Sequence, residues 1–83
     1  MNENRRRHKR DRVLKEGQIV FHHGQCTVNC AVVDISASGA RVRVDTALGL
    51  PEHFELRLYR GPAYTCRVVW NQGNTLGVEF VFD

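Results

Sequence analysis

The stretch CTVNCAVVDISASGARVRV, residues 26–44, holds two strand patterns separated by a turn pattern. Apolar residues recur at every second position in CTVNCAV and again in ARVRV, which is typical of strands with one buried face. Ala37, Ser38 and Gly39 interrupt the alternation, as small and polar residues do in turns. The stretch therefore predicts two consecutive strands that share a core face. The core-facing side chains are expected to be Cys26, Val28, Cys30, Val32, Ala40, Val42 and Val44.

Four other segments repeat the alternation, at residues 16–22, 53–59, 63–70 and 75–82, and short turn sequences join them. Six short amphipathic strands without a helical pattern predict an antiparallel sheet, and such a sheet hides its edges best by curling into a barrel. The predicted fold class is all-β, a six-stranded antiparallel β-barrel. The further core-facing side chains are expected to be Ile19, Phe21, Phe54, Leu56, Leu58, Tyr64, Cys66, Val68, Trp70, Leu76, Val78, Phe80 and Phe82.

The N-terminal segment differs in composition from the rest of the chain. Residues 5–12 read RRRHKRDR, with five Arg and one Lys against the single Asp11 and no apolar side chain to anchor them. A local concentration of positive charge of this kind favours an anionic partner. We expect residues 1–12 to form a flexible basic arm and residues 13–83 to form a single barrel domain.

Length and composition narrow the class of protein. A chain of 83 residues has a thin core, and 42% apolar with 25% charged residues is ordinary for a globular domain. Three cysteines form no disulfide framework, and no apolar run suggests a signal peptide or a transmembrane helix. The cytoplasm is the expected compartment.

Metal binding and catalysis are both disfavoured by the spacing of the candidate residues. His22, His23, Cys26 and Cys30 are close in sequence, but a strand would separate the two sulfurs by about 13 Å, too far for one tetrahedral zinc ion. Nothing in the sequence groups a nucleophile with a base. We therefore expect no metal, no cofactor and no enzymatic activity.

Two short motifs suggest a ligand. Arg6 and Arg10 form an R-x-x-x-R string in the arm, and Asp34, Ser36 and Gly39 form D-x-S-x-x-G in the turn. Neither string is specific alone, but the two in this order on a six-strand pattern resemble the PilZ domain, the bacterial receptor module for cyclic di-GMP. The ending LGVEF and the valine-rich segment that finishes at Trp70 are similar to the family as well.

The resemblance implies a ligand set of Arg6, Arg10, Asp34, Ser36 and Gly39. Arginine forks suit phosphates and the O6/N7 edge of guanine, whereas a carboxylate accepts from guanine N1 and N2. Ser36 is suited to a phosphate or a base edge, and Gly39 to a close backbone approach. Asp34 is expected to lie off the core face. Secondary contacts are expected from Arg5, which suits a stacked pair of ligand molecules, and from Arg41 and Trp70.

The resemblance also implies a mechanism, in which the ligand orders the arm over the barrel and so alters contacts with an effector protein. Many PilZ domains continue into a C-terminal helix, which is not expected in this sequence. Two other functions stay open at this stage. One is a small basic barrel that binds RNA or DNA nonspecifically, although the aromatic residues lie in phase with the core and so favour packing over base stacking. The other is a module whose arm docks on an acidic protein.

Overall fold

The computed structural model of the chain describes residues 11–47 and 49–82. These residues form a closed barrel in which neighbouring strands are antiparallel and follow the order β1-β2-β3-β6-β5-β4, with β1 and β4 pairing to close it. The predicted fold class is confirmed. The strands are β1 (Asp11–Phe21), β2 (Cys26–Ile35), β3 (Gly39–Val44), β4 (His53–Leu58), β5 (Ala63–Gln72) and β6 (Thr75–Phe80).

The interior of the barrel is filled by side chains from all six strands, and each of them occupies a position that the alternation assigns to the core. Removal of such side chains from water is the main favourable contribution to folding. The cluster consists of Ile19, Cys30, Val32, Val42, Val44, Phe54, Leu56, Leu58, Cys66, Leu76, Val78 and Phe80.

The prediction that Trp70 and Phe82 face the core is wrong. Trp70 is 42% exposed and Phe82 is 73% exposed. In β5, Val69 is an extra residue, because Val68 pairs with Val78 while Trp70 pairs with Gly77. Such a bulge reverses the facing of the side chains that follow it, so Trp70 lies on the outer surface. Phe82 lies beyond the end of β6, where the alternation no longer applies.

A second bulge lies at the end of β2. Val32 pairs with Val42 and Asp34 pairs with Arg41, so Val33 is the extra residue. The bulge places Asp34 opposite an outward-facing arginine, while Ile35 pairs with Ala40 and both pack against the core. Asp34 is therefore separate from the apolar core, but it is buried, with only 4% of its surface exposed. Substitution of Asp34 is therefore expected to affect the stability of the fold as well as the site.

The first strand begins earlier than the alternation predicted. It starts at Asp11 instead of Glu16, with an irregularity in its pairing to β2 between Arg12 and Lys15. Asp11 pairs with Ile35 and Arg12 pairs with Asp34. The basic segment consequently joins the barrel directly beside the turn that carries the second motif.

Within residues 11–47 and 49–82 there are strands and turns but no helix, and accordingly none that is long and apolar enough to cross a bilayer.

Two of the three thiols are expected to be unreactive in the folded protein. Burial raises the pKa of Cys30 to about 11 and that of Cys66 to about 12, from 9.0. At pH 8, therefore, less than about one Cys30 side chain in a thousand is ionised. A thiol reagent at this pH should modify the half-buried Cys26 first, and all three thiols only in denaturant.

The same shifts predict a loss of stability in alkali. Folding raises the pKa values of these two thiols. Their contribution to the free energy of unfolding is therefore complete below pH 9.0 and is lost as the pH rises through about 11 to 12. Thermal unfolding followed between pH 8 and pH 12 measures this loss. Rapid modification of two or three thiols in the native protein at pH 8 would contradict the predicted lack of reactivity of Cys30 and Cys66.

Candidate functional site

A pocket of about 420 Å³ opens on the outer surface of the barrel beside the turn between β2 and β3. Its walls come from this turn, from the start of β3 and from the ends of β5 and β6. Five residues that the sequence analysis singled out line it, namely Asp34, Ser36, Gly39, Arg41 and Trp70. Arg5, Arg6 and Arg10 lie outside the described residues.

The turn from Asp34 to Gly39 is held by the hydroxyl of Ser36. This hydroxyl accepts from the backbone N–H of Ser38 and donates to the carbonyl of Gly39, each at 3.3 Å. The backbone N–H of Ser36 donates to the same carbonyl at 2.8 Å. Ser36 thus organises the turn through its own hydrogen bonds, in addition to lining the pocket.

Gly39 is required for a reason that the sequence analysis missed. A Cβ at this position would overlap the carbonyl oxygen of Val78 on β6 and approach the Cα of Glu79 to 3.2 Å. The backbone N–H of Phe80 donates to the carbonyl of Ser38 at 2.8 Å and fastens the turn to the same strand. Since the obstructing atoms are backbone, only glycine allows the turn to pack this closely on β6.

Asp34 and Arg41 form an ion pair at the back of the pocket. Arg41 Nη2 donates to Asp34 Oδ2, and the two side chains are 42% and 5% exposed respectively. The pairing uses only one atom of each group. Asp34 Oδ1 and Arg41 Nε are both buried and have no hydrogen-bond partner among the described residues. Within the described part of the chain, a free acceptor and a free donor therefore belong to two side chains that are already in contact.

Trp70 forms an aromatic wall of the pocket. Its indole ring covers Gly77 so closely that a Cβ on this glycine would overlap the ring. Val69 and Phe82, which are 54% and 73% exposed, extend the same apolar surface. An exposed indole held against a strand offers a face on which a planar base can stack.

The charges of the lining residues do not by themselves favour an anion. Asp34 and Glu79 are acidic, and Arg41 is the only basic residue among the described residues that line the pocket. Glu79 accepts from Arg67 Nε at 2.7 Å, and this hydrogen bond raises the pKa of Arg67. A phosphate in this pocket would thus need cations from another part of the chain.

The start of β1 brings the basic segment of the sequence beside the pocket. Asp11 pairs with Ile35, which itself lines the pocket. Covalent geometry places the Cα of Arg10 about 3.8 Å from that of Asp11, and the Cα of Arg6 within about 18 Å of it. The segment that carries both arginines of the R-x-x-x-R motif therefore enters the barrel beside the pocket.

The residues considered for zinc lie at the far end of β2. His22 and His23 are exposed in the turn between β1 and β2, where they adopt φ values of 55° and 56°. Across residues 11–47 and 49–82, no group of three or more His, Cys, Asp or Glu side chains is placed to hold an ion.

Sequence reasoning missed Gly77, Val69 and Glu79 as parts of this surface. The adjacent valines Val68 and Val69 were the available signal for the bulge, because two successive apolar residues break a strict alternation. A glycine opposite an exposed aromatic residue is recognisable only once the register of β5 and β6 is known.

The family model of the PilZ domain matches residues 4–83, essentially the whole chain. No curated protein is significantly similar to the sequence.

Proposed function

Since the chain belongs to the PilZ domain family, a family of cyclic di-GMP receptors, we propose that it binds cyclic di-GMP in the pocket beside the turn from Asp34 to Gly39. The observation that carries the proposal is Asp34 Oδ1, which is buried and has no hydrogen-bond partner among residues 11–47 and 49–82. A buried acceptor without a donor is costly, and a ligand that supplies the donor recovers the lost free energy.

Guanine fits this acceptor. Its Watson–Crick edge carries the N1–H and N2–H donors side by side, and a charged carboxylate accepts such bonds more strongly than a neutral group does. The exposed ring of Trp70 lies in the same pocket, where stacking of a base would contribute about 1–3 kcal/mol. One guanine base would thus be held at its edge by Asp34 and on its face by Trp70.

The phosphates are assigned to the arm. Because Nη2 of Arg41 bonds Asp34, the cations that neutralise two phosphates are proposed to be Arg6 and Arg10, with Arg5 serving a second ligand molecule. Ordering each arm residue costs about 1–2 kcal/mol, so we expect an affinity in the micromolar range or somewhat tighter. The ordered arm would then change the surface offered to an effector protein in the cytoplasm.

PilZ is a family of binding domains and is not typically catalytic. The role proposed for this chain is correspondingly that of a receptor without an enzymatic step.

Calorimetric titration of the full chain with cyclic di-GMP tests the proposal, with GTP and a short single-stranded RNA as controls. Trp70 is the single tryptophan and lines the pocket, so its fluorescence reports on the same site independently. We expect saturable heat and a change in tryptophan fluorescence with cyclic di-GMP alone, at a stoichiometry near one or two ligands per chain. A Trp70→Phe variant should bind with the fluorescence signal removed.

No heat with cyclic di-GMP would contradict the proposal. Binding of the RNA with a steep dependence on salt would instead indicate a nonspecific nucleic-acid protein. Heat without a fluorescence change would place the ligand away from Trp70.

A further inference from the structure

The ion pair between Asp34 and Arg41 is only half formed. A carboxylate and a guanidinium that serve stability alone are expected to pair through two parallel hydrogen bonds, which is the strongest arrangement available to them. Here one bond is made, and the second acceptor and the second donor stay buried without partners among the described residues. Both groups belong to residues that line the pocket.

The two unpaired atoms specify a ligand edge with complementary polarity. Asp34 Oδ1 requires a hydrogen-bond donor, and Arg41 Nε requires an acceptor. Guanine carries N1–H next to the acceptor O6. Adenine carries the opposite polarity at the same two positions, with an acceptor at N1 and a donor at N6. A pair of protein groups fixed in this order therefore matches guanine and opposes adenine.

We propose that Arg41 is a specificity-determining residue, which donates from Nε to guanine O6 while Asp34 Oδ1 accepts from guanine N1–H. The proposal rests on the proposed function, since it concerns the same pocket and ligand. It gives Arg41 two roles that are separable by mutation, namely holding Asp34 through Nη2 and selecting the base through Nε.

Arg41→Lys separates these roles. Lysine keeps a positive charge that pairs with Asp34 Oδ2 at a single point, but it has no second donor in a rigid fork. The matched control is Arg43→Lys, because Arg43 lies on the same strand, is exposed and does not line the pocket. The affinities of each protein for cyclic di-GMP and cyclic di-AMP are measured by calorimetry, and thermal unfolding shows that the variants are folded.

We expect the wild type and Arg43→Lys to prefer cyclic di-GMP. In Arg41→Lys the affinity for cyclic di-GMP should fall about tenfold or more, while that for cyclic di-AMP stays the same or rises, so that the preference shrinks. If Arg41 had a purely structural role, Arg41→Lys would lower the affinities for cyclic di-GMP and cyclic di-AMP by the same factor.

The wild-type protein gives a second test that needs no variant. Cyclic di-IMP, whose hypoxanthine keeps N1–H and O6 but lacks the N2 amino group, should bind more tightly than cyclic di-AMP. If it binds as weakly as cyclic di-AMP, or if Arg41→Lys keeps the full preference for guanine, the role of Arg41 in selection is wrong while the receptor function stands. Failure of the wild type to bind cyclic di-GMP would overturn the receptor function itself.

Discussion

Replacement of Asp34 by alanine is expected to weaken the binding of cyclic di-GMP by about 100-fold or more. The variant removes the acceptor for guanine N1–H, and a hydrogen bond to a charged group contributes roughly 1.5–3 kcal/mol. It also releases Arg41 from its partner. The measurement is the dissociation constant from calorimetry, together with Trp70 fluorescence.

Asp45→Ala is the matched control, because Asp45 is an exposed carboxylate just after β3 that does not line the pocket. This variant should bind like the wild type. Normal binding by Asp34→Ala would show that guanine is not read at this carboxylate. An equal small gain in affinity in both variants that disappears at high salt would instead indicate general electrostatics, because each variant removes a negative charge near an anionic ligand.

The core and the six-stranded antiparallel barrel were accessible to sequence reasoning because they depend on a repeating feature. Alternation places Val42 and Val44 inside and Arg43 outside whatever the rest of the chain does, and the structure has them so. The fold depends on the pattern of apolar residues at many core positions together. A wrong assignment at one position therefore does not alter the predicted fold.

The site was less accessible, because it depends on two single-residue irregularities. Both bulges occur at adjacent valines, Val32–Val33 and Val68–Val69, and each reverses the facing of the functional residue that follows. The alternation therefore assigned Trp70 to the core, whereas the bulge turns it onto the outer surface. Asp34 was recognised from its motif, but its burial and its pairing with Arg41 depend on the register between β2 and β3.

Gly39 shows the same limit for a residue that was correctly singled out. The motif identified the glycine, and the sequence analysis attributed it to a close approach of the ligand. The structure gives a packing reason, since the carbonyl of Val78 occupies the space of a Cβ. Gly39 and Val78 are 39 residues apart in sequence. A contact between strands so far apart cannot be predicted from a local sequence pattern.

Arg41→Ala is expected to lower the free energy of unfolding by about 3–5 kcal/mol, the usual cost of leaving a buried charge without its partner. A domain of 83 residues has a total stability of roughly 4–12 kcal/mol, so the variant should be close to unfolding at room temperature. Urea denaturation measures the change. Arg43→Ala, on the exposed face of the same strand, should change stability by less than about 0.5 kcal/mol.

Removal of Asp34 and removal of Arg41 are expected to lower the free energy of unfolding by different amounts. The Asp34 side chain is 5% exposed and cannot be rehydrated when Arg41 is removed, whereas Arg41 is 42% exposed and can turn towards water when Asp34 is removed. Asp34→Ala should therefore destabilise the barrel less than Arg41→Ala, and the double variant should be more stable than Arg41→Ala alone. If Arg41→Ala costs no more than Arg43→Ala, the carboxylate of Asp34 does not depend on Arg41, and the pair makes no net contribution to the fold. The stabilities of the wild type, the two single variants and the double variant thus measure how much the ion pair contributes to the fold. The binding measurements then report on the ligand separately.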